Sequence, residues 1–167
     1  WVDLARFLDV PRLVAAADAL CSPRTGICSL SELRSALVRA GRVIGVSDLR
    51  VALDLANPSA ESIAESLIRV ALVTSGLPEP VANATIRDHG RFVARVDLLF
   101  ERYGVILEYE GLHHATDPRQ WRRDLTRIGE LQRLGFLVER AHADDLRDPR
   151  ALIARIRAHL RRRGWTG

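Results

Sequence analysis

The spacing of apolar residues is helical at both ends of this chain and strand-like in its middle. Over residues 1–57 an alanine- and leucine-rich pattern predicts a helical N-terminal segment that stops at the Asn57-Pro58 break. Its helices are predicted at residues 11–21, from 29 or 31 to 40, and 47–56. No residue of this segment belongs to a recognisable chemical motif, so we expect a packing or linker role for it.

Residues 58–167 have the pattern of an α/β domain. Ser59 is a suitable N-cap for a helix that runs to about residue 74. Its apolar stripe would consist of Ile63, Ala64, Leu67, Ile68, Ala71 and Leu72. Strands are predicted at residues 84–88, 92–100 and 105–110, then a helix to about 134, a strand at 136–140 and a last helix from Pro149. Three antiparallel strands followed by a helix and a fourth strand predict an α/β sandwich with a mixed sheet.

The two later helices each have one apolar stripe. In the first of them Trp121, Leu125 and Ile128 form the stripe, and Gln132 is predicted to lie on it. The last helix is predicted to bury Leu152, Ile153, Ile156 and Leu160, and arginines occupy its outer side.

Three carboxylates interrupt the two strands in the middle of the chain. A hairpin that turns at Arg102-Tyr103 places Asp97 directly opposite Glu108, and alternation puts both on one face with Glu110. Like charges that face each other across two strands are destabilising, with Cβ atoms only about 4.5–5.5 Å apart. Hard divalent cations take oxygen ligands of this kind. The pattern therefore predicts a metal site.

The charge of the chain supports an anionic partner. All 25 Lys+Arg residues are arginine, the net charge is +4, and 17 arginines against 13 acids follow residue 78, compared with 8 against 8 before it. Arginine suits bidentate contacts with phosphate, so a polyanionic substrate is indicated. High-GC codon usage is an alternative cause of the arginine count, but it does not explain the asymmetry between the two parts.

Composition excludes several other classes. No apolar run reaches the ~18 residues of a membrane span, and no secretory signal is visible. The two cysteines, Cys21 and Cys28, are too few for a thiolate zinc site, so we expect a cytoplasmic protein with reduced thiols. The chain has no methionine, which indicates a piece of a longer protein.

Six segments carry a resemblance to a known family. They are AESIAES (60–66), GLPEP (76–80), FVARVDL (92–98), EYEGLHH (108–114), RRDLTR (122–127) and ELQRLGF (130–136). In their order and spacing they resemble the PD-(D/E)XK nuclease core, and more narrowly the actinobacterial endonuclease-domain family related to very-short-patch-repair (Vsr-like) endonucleases. The resemblance implies a restriction-endonuclease-like α-β-β-β-α-β core, preceded here by the helical N-terminal segment.

The resemblance also implies roles for individual residues. Asp97 and Glu108 would be the metal-binding acids, and Glu65 the acid contributed by the first helix of the core. The position where the superfamily usually has lysine holds Glu110, and the chain has no lysine to replace it. Glu110 would be a third ligand of Mg²⁺ or Mn²⁺, or else a plain carboxylate at a loop entry.

Further candidates follow the third strand. His113 is a candidate general acid or base near neutral pH, and His114 is either a second one or a solvent-exposed neighbour. Gln132 has either a catalytic role or a buried structural hydrogen bond. Residues expected to contact nucleic acid are Arg95, Arg122, Arg123, Arg127 and His114, although Arg127 could instead form a salt bridge with Asp124 that positions its helix.

Together these features predict a metal-dependent DNA endonuclease that hydrolyses phosphodiester bonds with Mg²⁺-activated water. Nicking in DNA repair or defence is one role that such an enzyme would have. One alternative is a non-catalytic DNA-binding regulator or antitoxin-like protein that keeps the nuclease fold. Another is a metal-dependent hydrolase that acts on RNA or nucleotides.

Overall fold

The computed structural model describes residues 1–111 and 118–167, and the side chains of residues 1–111 and 123–167. Within this part the chain is mixed α/β, with seven α-helices and one four-stranded sheet. It divides into two compact units, Trp1–Ala71 and Leu72–Gly167. The predicted boundary at residue 57 lies earlier in the chain than this division. No described helix has both the length and the apolar character that crossing a membrane requires.

The first unit is helical, as the apolar spacing predicted. It contains α1 (Val10–Cys21), α2 (Leu30–Ala40), α3 (Val46–Leu55) and the first part of α4 (Ile63–Thr74). The start of α2 is a capping box in which Ser29 and Glu32 satisfy each other's backbone N–H groups. Gly41 ends the same helix with a positive φ of 66°, a conformation that glycine adopts without strain. The bounds predicted for this helix are therefore confirmed.

One apolar cluster forms the core of the first unit. It is made of Leu13, Val14 and Ala17 from α1, Leu33 and Leu37 from α2, Leu49, Ala52 and Leu53 from α3, and Val70 from α4.

A buried ion pair accompanies that core. The side chains of Asp18 and Arg69 are each 1% exposed, and Arg69 Nη2 lies 3.3 Å from Asp18 Oδ2. Ser66 Oγ donates to the same carboxylate at 2.7 Å, and the backbone N–H of Asn57 donates at 2.6 Å. Burial raises the pKa of Asp18, and these hydrogen bonds and the charge of Arg69 oppose that rise. The network joins α1, α4 and the turn after α3.

The start of α4 differs from the prediction. The helix begins at Ile63, where Ser62 Oγ accepts from the backbone N–H of Glu65 at 3.1 Å, so the predicted start at Ser59 is wrong. Ile63, which was predicted to be buried, is 66% exposed, while Ser66 and Arg69 are buried. Ile68 and Leu72 are buried as predicted. The buried face also includes Ser66 and Arg69, because Asp18 provides a charged partner that the sequence of α4 does not reveal.

The second unit contains the sheet. Its elements are β1 (Val81–Asp88), β2 (Arg91–Phe100), β3 (Val105–Tyr109), α5 (Pro118–Arg133), β4 (Leu137–Ala141), α6 (Ala143–Arg147) and α7 (Arg150–Arg162). The strands lie in the order β1-β2-β3-β4, with β1, β2 and β3 antiparallel and β4 parallel to β3. The predicted order of elements and the mixed sheet are confirmed, and α6 was not predicted. The finer match to the restriction-endonuclease-like fold stays a prediction.

Aligned apolar residues on neighbouring strands form the core beside α5. Leu99 of β2 pairs with Ile106 of β3, which pairs in turn with Val138 of β4. All three belong to one cluster with Leu131 of α5, which is completely buried. The face of the sheet that these residues define is called the α5 face below.

The stripe predicted for α5 is only partly correct. Leu131 supplies the buried contact, whereas Leu125 is 47% exposed and Gln132 is exposed. The placement of Gln132 on a buried stripe is therefore wrong. The helix is rotated by about one residue relative to the prediction, because Leu131 is the residue that fits between the strand side chains of the α5 face. In α7, by contrast, Leu152, Ile156 and Leu160 are completely buried, as predicted.

The buried pair in the first unit leads to a stability prediction. Asp18→Ala leaves Arg69 buried without its carboxylate, so the free energy of unfolding should fall by about 3–5 kcal/mol in urea denaturation. Asp54→Ala is the matched control, because Arg34 lies at the same 3.3 Å distance from Asp54, but these side chains are 54% and 72% exposed. That variant should lose less than about 1 kcal/mol. Equal losses would show that burial adds nothing to the Asp18–Arg69 pair.

Candidate functional site

The register of β2 and β3 brings two acids together. The pairs Leu98–Leu107, Leu99–Ile106 and Phe100–Val105 are those of the predicted hairpin, which is confirmed. Continued by one step along each strand, this register would place Asp97 opposite Glu108. Because side chains two residues apart share a face, both acids continue the α5 face beyond Leu99 and Ile106.

Asp97 lies where the ladder between the two strands stops. Its Oδ2 accepts a hydrogen bond of 2.8 Å from the backbone N–H of Tyr109. The carboxylate thus accepts from the edge of β3 in place of a backbone carbonyl of β2. This bond holds the Asp97 carboxylate next to the residue that precedes Tyr109 in the chain, which is Glu108.

Glu108 is bound by an arginine of the following helix. Arg127 donates to both carboxylate oxygens, from Nη1 to Oε1 and from Nη2 to Oε2, the second bond at 3.0 Å. The Glu108 side chain is 12% exposed and that of Arg127 30%. The hydrogen bonds to Glu108 raise the pKa of Arg127, burial opposes this, and the charges of Glu108, Asp124 and Asp97 add to the rise. The geometry is that of a charge-assisted bidentate pair.

Glu110 has different cationic neighbours. Arg140 Nη1 lies 3.2 and 3.3 Å from its two oxygens, and His142 Nδ1 lies 3.6 Å from Oε2. The Glu110 side chain is 50% exposed, so water screens these contacts. The carboxylate of Glu110 is therefore matched by an arginine from the adjacent strand.

Sequence reasoning missed Arg140 and His142. The parallel register of β3 and β4 aligns Glu108 with Arg140 and Tyr109 with Ala141, which brings both residues to the end of β3. A signal was present in the alternation of β4, where Val138 is apolar and Arg140 falls on the same face. Only the pairing of β4 with β3 shows which carboxylates Arg140 meets.

Several predicted residues cannot be placed against this group of acids. His113 and His114 lie outside the described residues, and so does the side chain of Arg122. Arg95, on β2, and Arg123, on α5, are exposed. Their predicted contacts with nucleic acid are untested.

Glu65 and Gln132 are the remaining residues with a predicted catalytic role. Glu65 belongs to the first unit, where it is buried and its Oε2 accepts from the backbone N–H of Glu61 at 2.9 Å. This contact, with the cap provided by Ser62, is a structural role at the start of α4. A catalytic role stays a prediction for Glu65, and also for the exposed Gln132.

Carboxylates are the donors that this site offers to a metal ion. In residues 1–111 and 118–167 no three or more His, Cys, Asp or Glu side chains are grouped as metal ligands. Mg²⁺ commonly binds through one or two carboxylates and keeps several waters, so the adjacent pair Asp97 and Glu108 fits it chemically. Arg127 donates hydrogen bonds to both oxygens of Glu108, which such an ion would also use.

Comparisons with known proteins show similarity to two proteins of Mycobacterium tuberculosis. Both are described as uncharacterized: MT2308 of strain CDC 1551 / Oshkosh and Rv2248 of strain ATCC 25618 / H37Rv. Each is 35% identical over 167 residues, which is 99% of this chain and 61% of the relative. The chain thus spans less than two thirds of the length of these relatives. No protein-family model matches it, and no solved structure does.

The different surroundings of Glu108 and Glu110 lead to a second stability prediction. In chelator-containing buffer, Glu108→Gln should lower the free energy of unfolding by about 1–3 kcal/mol, because it breaks a mostly buried bidentate pair. The matched change Glu110→Gln should cost less than about 1 kcal/mol, since its contacts are exposed. Urea denaturation of the two variants measures the difference. A larger loss for Glu110→Gln would contradict this ranking.

Proposed function

We propose that this chain carries a metal-dependent DNA endonuclease that hydrolyses phosphodiester bonds. The observation that carries the proposal is the register of β2 and β3 together with the hydrogen bond from the Tyr109 N–H to Asp97, which supports a position of Asp97 beside Glu108. Two acids at adjoining positions of neighbouring strands, with the spacing of the PD-(D/E)XK pattern, are a rare arrangement for a purely structural purpose, because like charges there cost stability.

Asp97 and Glu108 would hold Mg²⁺ or Mn²⁺. When bound, the ion polarises the scissile phosphate and lowers the pKa of a coordinated water. The hydrogen bond from the backbone N–H of Tyr109 orients the carboxylate of Asp97 for this task. Glu110 would be an outer ligand, and His113 would exchange a proton with the water or the leaving oxygen.

Positive charge near the acids would stabilise the negative charge of the phosphate. Arg127 and Arg140 each place a guanidinium group beside one of the carboxylates. In a chain without lysine they would supply the charge that the superfamily's lysine usually supplies. Duplex DNA is the proposed partner, since its phosphates match the excess of arginine after residue 78. A nicking role in repair or defence, in the cytoplasm, is part of the same proposal.

A second candidate function is a non-catalytic DNA-binding regulator or antitoxin-like protein with a nuclease fold. One observation favours it: Glu108 and Glu110 both have arginine partners, so the charges of these two acids are compensated within the chain. In that case the acids would be structural, and the arginines on the outside of the fold would bind DNA.

Cleavage of supercoiled plasmid tests the proposal. The wild-type chain should nick the plasmid with Mg²⁺ or Mn²⁺ and not with chelator. Asp97→Asn should lower the rate by about a hundredfold or more, because a metal ligand supplies several kcal/mol of transition-state stabilisation. Asp88→Asn is the matched control, since Asp88 ends β1 and pairs with Arg133 at 3.1 Å, and it should keep the wild-type rate.

The same assay separates the alternatives. Tight DNA binding without metal-dependent nicking would contradict the nuclease and support the regulator. Preferential cleavage of RNA, in competition with single-stranded and duplex DNA, would instead support a hydrolase that acts on RNA.

A further inference from the structure

We propose that Arg127 is an intramolecular competitor for the metal: its guanidinium contacts both oxygens of Glu108, and a divalent cation that binds this carboxylate displaces it. This inference rests on the proposed function, because it concerns the same pair of acids. It adds a regulatory role that neither the resemblance nor the relatives suggest.

The first argument is that Arg127 and a divalent cation compete for the same carboxylate. Arg127 uses both oxygens of Glu108, one with each terminal nitrogen. A divalent ion needs at least one of these oxygens at a distance of about 2.0–2.6 Å, and the positive charge of the guanidinium on the same carboxylate disfavours a second cation there. With only 12% of the Glu108 side chain exposed, there are few other directions from which an ion could approach.

The second argument is that the two acids are held in different ways. Asp97 accepts from a backbone N–H, which lies in the sheet and does not have to move when a cation binds. Glu108 is held by a long side chain from α5, which can move by rotation about its χ angles. The partner of Glu108 can therefore leave without movement of the sheet.

The third argument is that Arg127 has an alternative position. Asp124 lies one turn earlier on α5, with Oδ1 3.9 Å from Arg127 Nε. Arg127 is 30% exposed, so its guanidinium can turn outwards without leaving a buried charge unpaired. After its release it would lie beside the site, where a phosphate oxygen of the substrate could accept from it.

Metal binding by the whole chain tests the proposal without any activity assay. Titration with MnCl₂ in a calorimeter gives the dissociation constant for the ion alone. Arg127→Gln removes the competitor and should bind Mn²⁺ about tenfold more tightly than the wild type, the change expected from removing a charge-assisted pair. Arg127→Lys keeps the positive charge but cannot form the bidentate pair, so its gain in affinity for Mn²⁺ should be smaller.

Two controls show whether the gain arises at Glu108. Arg133→Gln changes an arginine of the same helix that pairs with Asp88 at 3.1 Å, and it should bind Mn²⁺ as the wild type does. The double variant Glu108→Gln/Arg127→Gln should lose the gain. If Arg127→Gln does not fold, the gain of Arg127→Lys over Arg133→Gln takes its place as the deciding comparison.

The outcomes separate this inference from the nuclease proposal. If the wild type nicks plasmid with Mg²⁺ but Arg127→Gln binds Mn²⁺ no more tightly, the competition is overturned and the nuclease stands. If Arg127→Gln binds more tightly but neither protein nicks DNA, the competition is supported and the nuclease is contradicted. Weaker binding by Arg127→Gln would assign Arg127 a supporting role and overturn the inference.

Discussion

The antiparallel register of β2 and β3 is the constraint on which the second unit depends. A turn at Glu101–Tyr103, ended by Gly104 with a φ of 60°, sets this register, and the carbonyl of Gly104 also accepts from Leu137 at the start of β4. A slip of one residue would turn every side chain of a strand to the other face. The same register thus places apolar residues against α5 and brings Asp97 to the end of the ladder, where it accepts from the N–H of Tyr109.

Compensation of charge is the second theme of the structure. Each carboxylate at the end of β3 has a cation from a different element: Glu108 has Arg127 of α5, and Glu110 has Arg140 of β4. The first unit contains a more deeply buried ion pair of the same kind, between Asp18 and Arg69. Burial decides how much each pair contributes to the free energy of unfolding. Water weakens the exposed pairs, and the removal of one partner is costly only where water cannot replace it.

Features set by local spacing were predictable from the sequence, and contacts between distant elements were not. The Asp97–Glu108 alignment was predictable because alternation and turn position together determine a hairpin register. The face of α5 was not, since Leu131 and Gln132 are neighbours and a helical stripe leaves an uncertainty of about one residue. The Glu108–Arg127 pair was also not predictable: both residues were candidates, but their contact joins a strand to a helix 19 positions later.

The sequence by itself determined the order of helices and strands, the hairpin register and the identity of the two facing acids. These depend on local spacing and on short connections, which leave few alternatives. Only the tertiary structure decided the buried face of α4, the rotation of α5, the pairing of β4 with β3 and the cation that each acid meets. The physical reason is that such contacts join residues distant in the chain, and their energies depend on burial and distance, which no local pattern contains.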